Sequence, residues 1–123
     1  MELLAVDSEV LPDAVVVHAK GEVDSSTVKQ LVSNLDDALD RAETHSARLL
    51  VIDLQGLTYF GSAGLNAVLD CHRRGAEEGT SVRVVADNDL VVRPIEVTNL
   101  DSVLELYRTL SDALQGRGSE QKP

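Results

Sequence analysis

Ser62 is the residue of this chain whose surroundings are most favourable for chemistry. It lies in the segment Tyr59-Phe60-Gly61-Ser62-Ala63-Gly64-Leu65, after an apolar stretch of strand length and before a helical pattern. We expect Ser62 to be the N-cap of that helix, because a serine oxygen accepts a backbone N–H group that the first turn leaves unpaired. The same N–H groups and the helix dipole favour a bound phosphate. Ser62 is therefore interpreted as either a plain cap or a regulated phosphorylation site.

Hydrolytic chemistry at Ser62 is not favoured. A nucleophile elbow has the spacing Gly-x-Ser-x-Gly, whereas the segment Gly61-Ser62-Ala63-Gly64 is one residue short. His72, the only histidine downstream, is expected to face inward on the same helix and cannot reach back to Ser62 as a general base. A nucleotide-binding loop is weakly supported, since the Gly-Lys-Ser/Thr ending is missing. We therefore expect no catalytic residue.

Metal, cofactor and redox sites are also not predicted. The histidines His18, His45 and His72 are scattered along the chain. The segment Asp87-Asn88-Asp89 could ligate a hard cation, but it has the typical composition of a turn and helix cap. The single Cys71 excludes an internal disulfide and is expected to be a small, partly buried helix residue, with redox sensing as the weaker alternative.

The charge of the chain limits the classes of partner. Its 123 residues include 21 acidic and 11 basic side chains, for a formal net charge of -10. This charge repels phosphate backbones and anionic membranes, so we expect no direct binding of nucleic acid or membrane. The start of the chain lacks a signal-peptide pattern, and no apolar run is long enough to span a bilayer. We therefore expect a cytoplasmic protein that acts through another protein.

Hydrophobic periodicity predicts the elements that position these residues. Apolar residues at steps of three and four predict a first helix that starts at 24–26 and reaches Ala42, and the apolar run 48–54 predicts a central parallel strand. The other predicted elements are strands at 3–6, 14–18, 81–85 and 103–106, and helices at 62–75, 89–95 and 109–115. This order predicts one α/β domain over residues 1–115, with a small mixed sheet of about five strands and about four helices. Residues 116–123 are predicted to be a disordered polar tail.

Two motifs resemble the STAS domain family, in particular the bacterial anti-sigma factor antagonists, also called anti-anti-sigma factors. The segment Gly21-Glu22-Val23-Asp24 is similar to the Gly-Glu-hydrophobic-Asp segment before the family's first helix. Residues 51–54 and 60–65 together are similar to its strand and Asp-Ser-x-Gly-hydrophobic loop, which is the more specific motif. Residues 93–100 and 103–107 are similar to the C-terminal part of actinobacterial members. The resemblance covers nearly the whole chain and implies the STAS fold.

The resemblance implies partner switching, not catalysis. In this family the unphosphorylated antagonist binds an anti-sigma factor with a GHKL-type ATPase fold and so frees a sigma factor for transcription. That anti-sigma factor, often itself a serine kinase, uses ATP and magnesium to phosphorylate the loop serine, and a phosphatase reverses the modification. By motif position the acceptor is Ser62. The partner-binding residues that the resemblance implies are Asp24, Ser25, Gly61, Ser62, Ala63, Gly64 and Asn66.

Gly61 is a departure from the family, which usually has an aspartate immediately before the serine. Three interpretations follow: phosphorylation persists with altered recognition, phosphorylation is lost and binding is constitutive, or another signal takes control. We favour the first. The alternative function is a STAS module that binds a nucleotide or another small ligand in the region Gly61–Leu65. The expected oligomeric state is a monomer or weak dimer.

Overall fold

The order of helices and strands is that of an α/β domain in residues 3–116, the part of the chain that the computed structural model describes. The strands are β1 (Leu4–Val10), β2 (Val15–Val23), β3 (Leu49–Phe60), β4 (Ser81–Val85) and β5 (Glu105–Tyr107). The helices are α1 (Val28–Glu43), α2 (Ser62–Glu78), α3 (Asp89–Val97) and α4 (Leu110–Gln115), with one 3-10 turn at Leu100–Ser102.

The five strands form one sheet in which the spatial order equals the chain order. β1 pairs antiparallel with β2, whereas β2, β3, β4 and β5 are parallel to one another. Helices α1, α2 and α3 connect successive parallel strands, because parallel neighbours need a crossover. The predicted mixed sheet of about five strands with about four helices is therefore confirmed for the described part of the chain.

The sheet separates a large core from a small one. Alternate residues of a strand point to opposite faces, so Val15 and Val17 of β2 belong to the large core and Val16 belongs to the small one. Buried residues of α1, α2 and α3 complete the large core, whereas Ala113 of α4 packs in the small core. The carboxyl ends of all four parallel strands lie along one edge of the sheet. We call it the carboxyl edge, and the opposite one the amino edge.

Several predicted boundaries are wrong. The first two strands continue to Val10 and Val23 instead of ending at 6 and 18, because they pair with each other and with β3 there. The third strand continues from Leu54 to Phe60, because its second half pairs with the end of β2 through two shifts of register. The first helix begins at Val28 and not at 24–26, since those residues form a turn. The last strand begins at Glu105 and not at 103, because pairing with β4 starts there.

The predicted polar tail falls almost entirely outside the described residues. Gly116 is described, and it is the C-cap of α4 with a left-handed φ of 72°. Residues 117–123 lie outside the described residues. The helix before Gly116 agrees with its prediction, since Thr109 is its N-cap and accepts the backbone N–H of Asp112 at 3.0 Å.

Candidate functional site

The ends of β2 and β3 bring the two sequence motifs together. Val23 and Phe60, the last residues of these strands, are partners in the parallel ladder. The backbone N–H of Gly61 extends this pairing by donating to the carbonyl of Val23 at 3.0 Å. Asp24 and Ser62 therefore follow two neighbouring strand ends on the carboxyl edge, which is where open α/β sheets bind their ligands.

Ser62 is the first residue of α2 and not its N-cap, so that prediction is wrong. The N-cap is Gly61, whose carbonyl accepts the first helical hydrogen bond, from Leu65, at 3.1 Å. Gly61 keeps an extended backbone because its N–H is bound to β2, and α2 begins directly after it, one residue earlier than a cap at Ser62 would place it. The Ser62 side chain is exposed and makes no hydrogen bond to any residue in 3–116. The hydroxyl is therefore accessible to solvent.

Asp24 organises the turn that leads into α1. Its carboxylate accepts the backbone N–H groups of Ser26 at 2.8 Å and Thr27 at 3.1 Å, and the hydroxyl of Ser26 at 2.7 Å. The hydroxyl of Ser26 is the main cause of a lowered Asp24 pKa, and the backbone N–H groups add to it. Ser25 at the tip of this turn is exposed. The turn thus presents a fixed negative charge next to the loop that carries Ser62.

The other predicted site residues differ in how far they reach the surface. Asn66 is exposed and lies one helical turn after Ser62, so both side chains are on the same side of α2. Ala63 is half-buried. Gly64 is buried, and a Cβ atom there would lie 2.7 Å from Val23 Cγ1 and 2.9 Å from Phe60 Cε1. Gly64 therefore lets α2 pack closely against the strand ends and offers no side chain to a partner.

Tyr59 is a further residue of this site that the sequence motifs did not indicate. It precedes Gly61 by two residues, and its side chain is 49% exposed. A shift of register between Leu57 and Tyr59 places Leu57 and Phe60 in the same core, so strict alternation along the sequence does not identify Tyr59 as exposed.

The remaining candidates for chemistry lie away from this site. Burial raises the pKa of the Cys71 thiol to about 12, so the thiol stays protonated and unreactive. His72 is half-buried, and its Nδ1 atom has no hydrogen-bond partner within the described residues. Asn88 is the N-cap of α3 and accepts the N–H of Val91 at 3.2 Å, which confirms the cap interpretation. In residues 3–116, no group of three or more His, Cys, Asp or Glu side chains could hold a metal.

The described cavities do not coincide with the loop at 61–65. Cavities of about 130, 190 and 350 Å³ lie beside β5 and α3, between α1 and α2, and beside the start of β4. Residues 61–65 line none of these three cavities. These three cavities are therefore not part of the site, whose serine is exposed at the surface. Across the described range 3–116, no helix is long and apolar enough to cross a membrane.

This fold and site define a known class of protein. The family model described as STAS domain matches residues 5–113. The anti-sigma-F factor antagonist RsfB of Mycobacterium tuberculosis is 32% identical over 101 residues, which are 82% of this chain and 79% of that protein. The chain therefore belongs to the STAS domain family.

Solved structures share its fold. An anti-sigma factor antagonist from Mycobacterium paratuberculosis superimposes with a TM-score of 0.83 at 32% identity, and 92% of each chain is covered. The phosphorylated form of SpoIIAA from Bacillus superimposes with a TM-score of 0.67 at 18% identity, covering 91% of this chain and 98% of that one. At that identity the second likeness concerns the fold alone.

Proposed function

We propose that this chain is an anti-sigma factor antagonist. It binds an anti-sigma factor with a GHKL-type ATPase fold in the cytoplasm, and this binding frees a sigma factor for transcription. The relatives named as anti-sigma factor antagonists support this role. The acidic chain, with its net charge of -10, fits action on a protein and not on DNA.

The binding surface that we propose lies on the carboxyl edge, where Asp24 and Ser25 follow the end of β2 and α2 begins after the neighbouring end of β3. Ser62 and Asn66 are its exposed members on the helix, and Gly61, Ala63 and Gly64 shape the backbone between them. The observation that carries the proposal is the position of Ser62. It is exposed, without an internal hydrogen bond, at the positive end of a 17-residue helix.

Phosphorylation of Ser62 is the proposed off-switch. The unpaired N–H groups at the start of α2 and the helix dipole accommodate a phosphate there, so the fold tolerates the modification. The added charge of nearly -2 lies at the strand end next to the one that Asp24 follows, and it changes a surface that binds a partner in the unmodified state. The anti-sigma factor is the proposed kinase, and a phosphatase restores binding. Gly61 in place of the usual aspartate alters recognition by the kinase without removing the acceptor hydroxyl.

The experiment uses wild-type, Ser62→Ala and Ser62→Glu proteins as baits in a lysate of the source organism, with captured proteins identified by mass spectrometry. Ser46→Glu is the matched control, because Ser46 is an exposed serine in the loop before β3, on the amino edge. We expect wild-type, Ser62→Ala and Ser46→Glu baits to capture a GHKL-type anti-sigma factor and Ser62→Glu to lose it. Equal capture by all four baits would reject the switch, and capture by none would reject the antagonist role.

A further inference from the structure

The ring of Tyr59 lies against the backbone of Gly61. A Cβ atom placed on Gly61 would be 3.1 Å from Cε2 of Tyr59 and 3.2 Å from its hydroxyl oxygen. These distances are shorter than ordinary van der Waals contacts, so the ring occupies the space that a side chain at position 61 would need. The ring is therefore folded toward the loop that precedes Ser62 and does not extend freely into solvent.

The backbone does not explain why residue 61 is a glycine. Gly61 has φ of -88° and ψ of -178°, an extended conformation that any residue adopts. A glycine is needed at positive φ, and this position has none. What the glycine provides is room for the ring of Tyr59. The two residues thus form one structural unit, which we call the Tyr59–Gly61 pair.

Tyr59 differs from the other aromatic residues of the chain in exposure. The chain has three aromatic side chains, and Phe60 and Tyr107 are only 5% and 7% exposed. Tyr59 is 49% exposed, and its hydroxyl makes no hydrogen bond to a residue of the described range. Tyrosine is enriched among the residues that dominate binding energy, because a large ring with few rotatable bonds buries much area at low entropic cost.

We propose that Tyr59 is the anchor through which the carboxyl edge binds its anti-sigma factor, and that Gly61 sets the position of the ring. This inference rests on the proposed function. Tyr59 is opposite Glu22 in the β2–β3 ladder, and the ionised Asp24 follows two residues later. A partner surface that fits has an apolar recess for the ring, a hydrogen-bonding group at its floor and basic side chains around it.

The test measures binding to purified anti-sigma factors with a GHKL-type ATPase domain from the source organism, by calorimetry. We expect Tyr59→Ala to weaken binding by about tenfold or more, and Tyr59→Phe to weaken it by a few fold because only the hydroxyl is lost. Val97→Ala is the matched control: Val97 is 71% exposed at the end of α3, on the amino edge. Its affinity should equal that of the wild type.

A double-mutant cycle tests the part of Gly61. The added methyl group of Gly61→Ala must shift the ring by a few tenths of an ångström, so we expect it to weaken binding when Tyr59 is present and to have little further effect beside Tyr59→Ala. Additive losses would overturn the role of Gly61. The ring can be followed by NMR without any partner, because Tyr107 is the only other tyrosine. Gly61→Ala should shift the Tyr59 ring signals and leave those of Tyr107 unchanged. Unchanged Tyr59 signals would contradict the claim that Gly61 sets the position of the ring.

Failure of this inference is distinct from failure of the proposed function. Equal affinities of wild type and Tyr59→Ala, with binding intact, would remove Tyr59 as the anchor and leave the antagonist role standing. Absence of wild-type binding to every purified anti-sigma factor would overturn both. Thermal unfolding of each variant shows whether it is folded. We expect Tyr59→Ala to unfold near the wild-type temperature because the ring is half exposed.

Discussion

The two ends of α2 are built in opposite ways. At its start, on the carboxyl edge, the cap is a bare glycine and the Ser62 hydroxyl is unused by the described residues. At its end, on the amino edge, the guanidinium of Arg48 donates to the carbonyls of Gly79 at 3.0 Å, Glu43 at 2.8 Å and Glu78. One arginine thus ties the last carbonyls of α1 and α2 together. The amino edge stabilises the fold, and the carboxyl edge carries the surface that we propose for binding.

The largest effect is expected from two buried glycines of α2. A Cβ atom at Gly64 would lie 2.7 Å from Val23, and one at Gly75 would lie 2.6 Å from Val82 and 2.9 Å from the Thr80 carbonyl. Gly64→Ala and Gly75→Ala should each lower the free energy of unfolding by about 1–3 kcal/mol, measured by urea denaturation. Partner binding distinguishes them: only Gly64→Ala should weaken it, because it moves the helix start. If both variants weakened binding equally, the proposal that only the carboxyl edge binds the partner would be contradicted.

Arg48→Ala should destabilise the protein by about 1–2 kcal/mol, because several carbonyls of two helix ends lose a charged donor. Binding to the anti-sigma factor should be unchanged. Arg48 also has a left-handed φ of 49°, which costs a non-glycine residue about 1 kcal/mol. Arg48→Gly should therefore unfold at a higher urea concentration than Arg48→Ala. The reverse order would show that backbone strain at this position is small.

A comparison of the starts of α3 and α2 tests whether the Ser62 hydroxyl contributes to the stability of the fold. Asn88→Ala removes a side-chain cap from α3 and should cost about 1 kcal/mol of unfolding free energy. Ser62→Ala removes no cap and should leave the unfolding free energy within about 0.5 kcal/mol of the wild type. Thermal and urea unfolding measure both changes. A loss at Ser62 as large as that at Asn88 would mean that its hydroxyl caps α2 in solution.

The smallest expected effect concerns pH and lies outside both ends of α2. His18 in β2 bonds Asp53 through Nδ1 at 2.9 Å and Glu9 through Nε2 at 2.8 Å. Burial lowers its pKa, but the hydrogen bonds and charges of the two carboxylates outweigh burial and raise the pKa above 6.5. Because the folded pKa is raised, His18 stabilises the protein below pH 6.5, and this contribution is lost as pH rises through the folded value. The stability difference between wild type and His18→Gln should be larger at pH 5.5 than at pH 8.5; a constant difference would contradict this pairing.

The sequence could predict the order of the elements because apolar periodicity depends on local spacing. The α1 stripe and the run Leu49–Leu54 therefore gave the right elements and the right type of sheet. The errors arose where pairing between strands that are distant in the sequence determines the bounds of an element. The bond from Gly61 to the Val23 carbonyl moves the start of α2, and pairing with β2 extends β3 over residues that are not a continuous apolar run.

The candidate site likewise has residues that the sequence could identify and contacts that it could not. Ser62 and Asp24 could be found from motifs, since their neighbours along the chain carry the signal. The burial of Gly64 and the contact of Tyr59 with Gly61 depend on residues that meet only after β2, β3 and α2 have packed. A pattern of residue types does not contain these distances, so the surface that we propose for binding differs from the set of motif residues.

The most direct test of the central claim is the affinity of the purified anti-sigma factor for this protein with phosphoserine at position 62 and with unmodified serine. Calorimetry of the two forms isolates the phosphate, because every other residue is the same. We expect the unmodified form to bind and the phosphorylated form to bind at least about tenfold more weakly, since the phosphate adds negative charge beside Asp24. Equal affinities of the two forms would contradict the assignment of Ser62 as the switch.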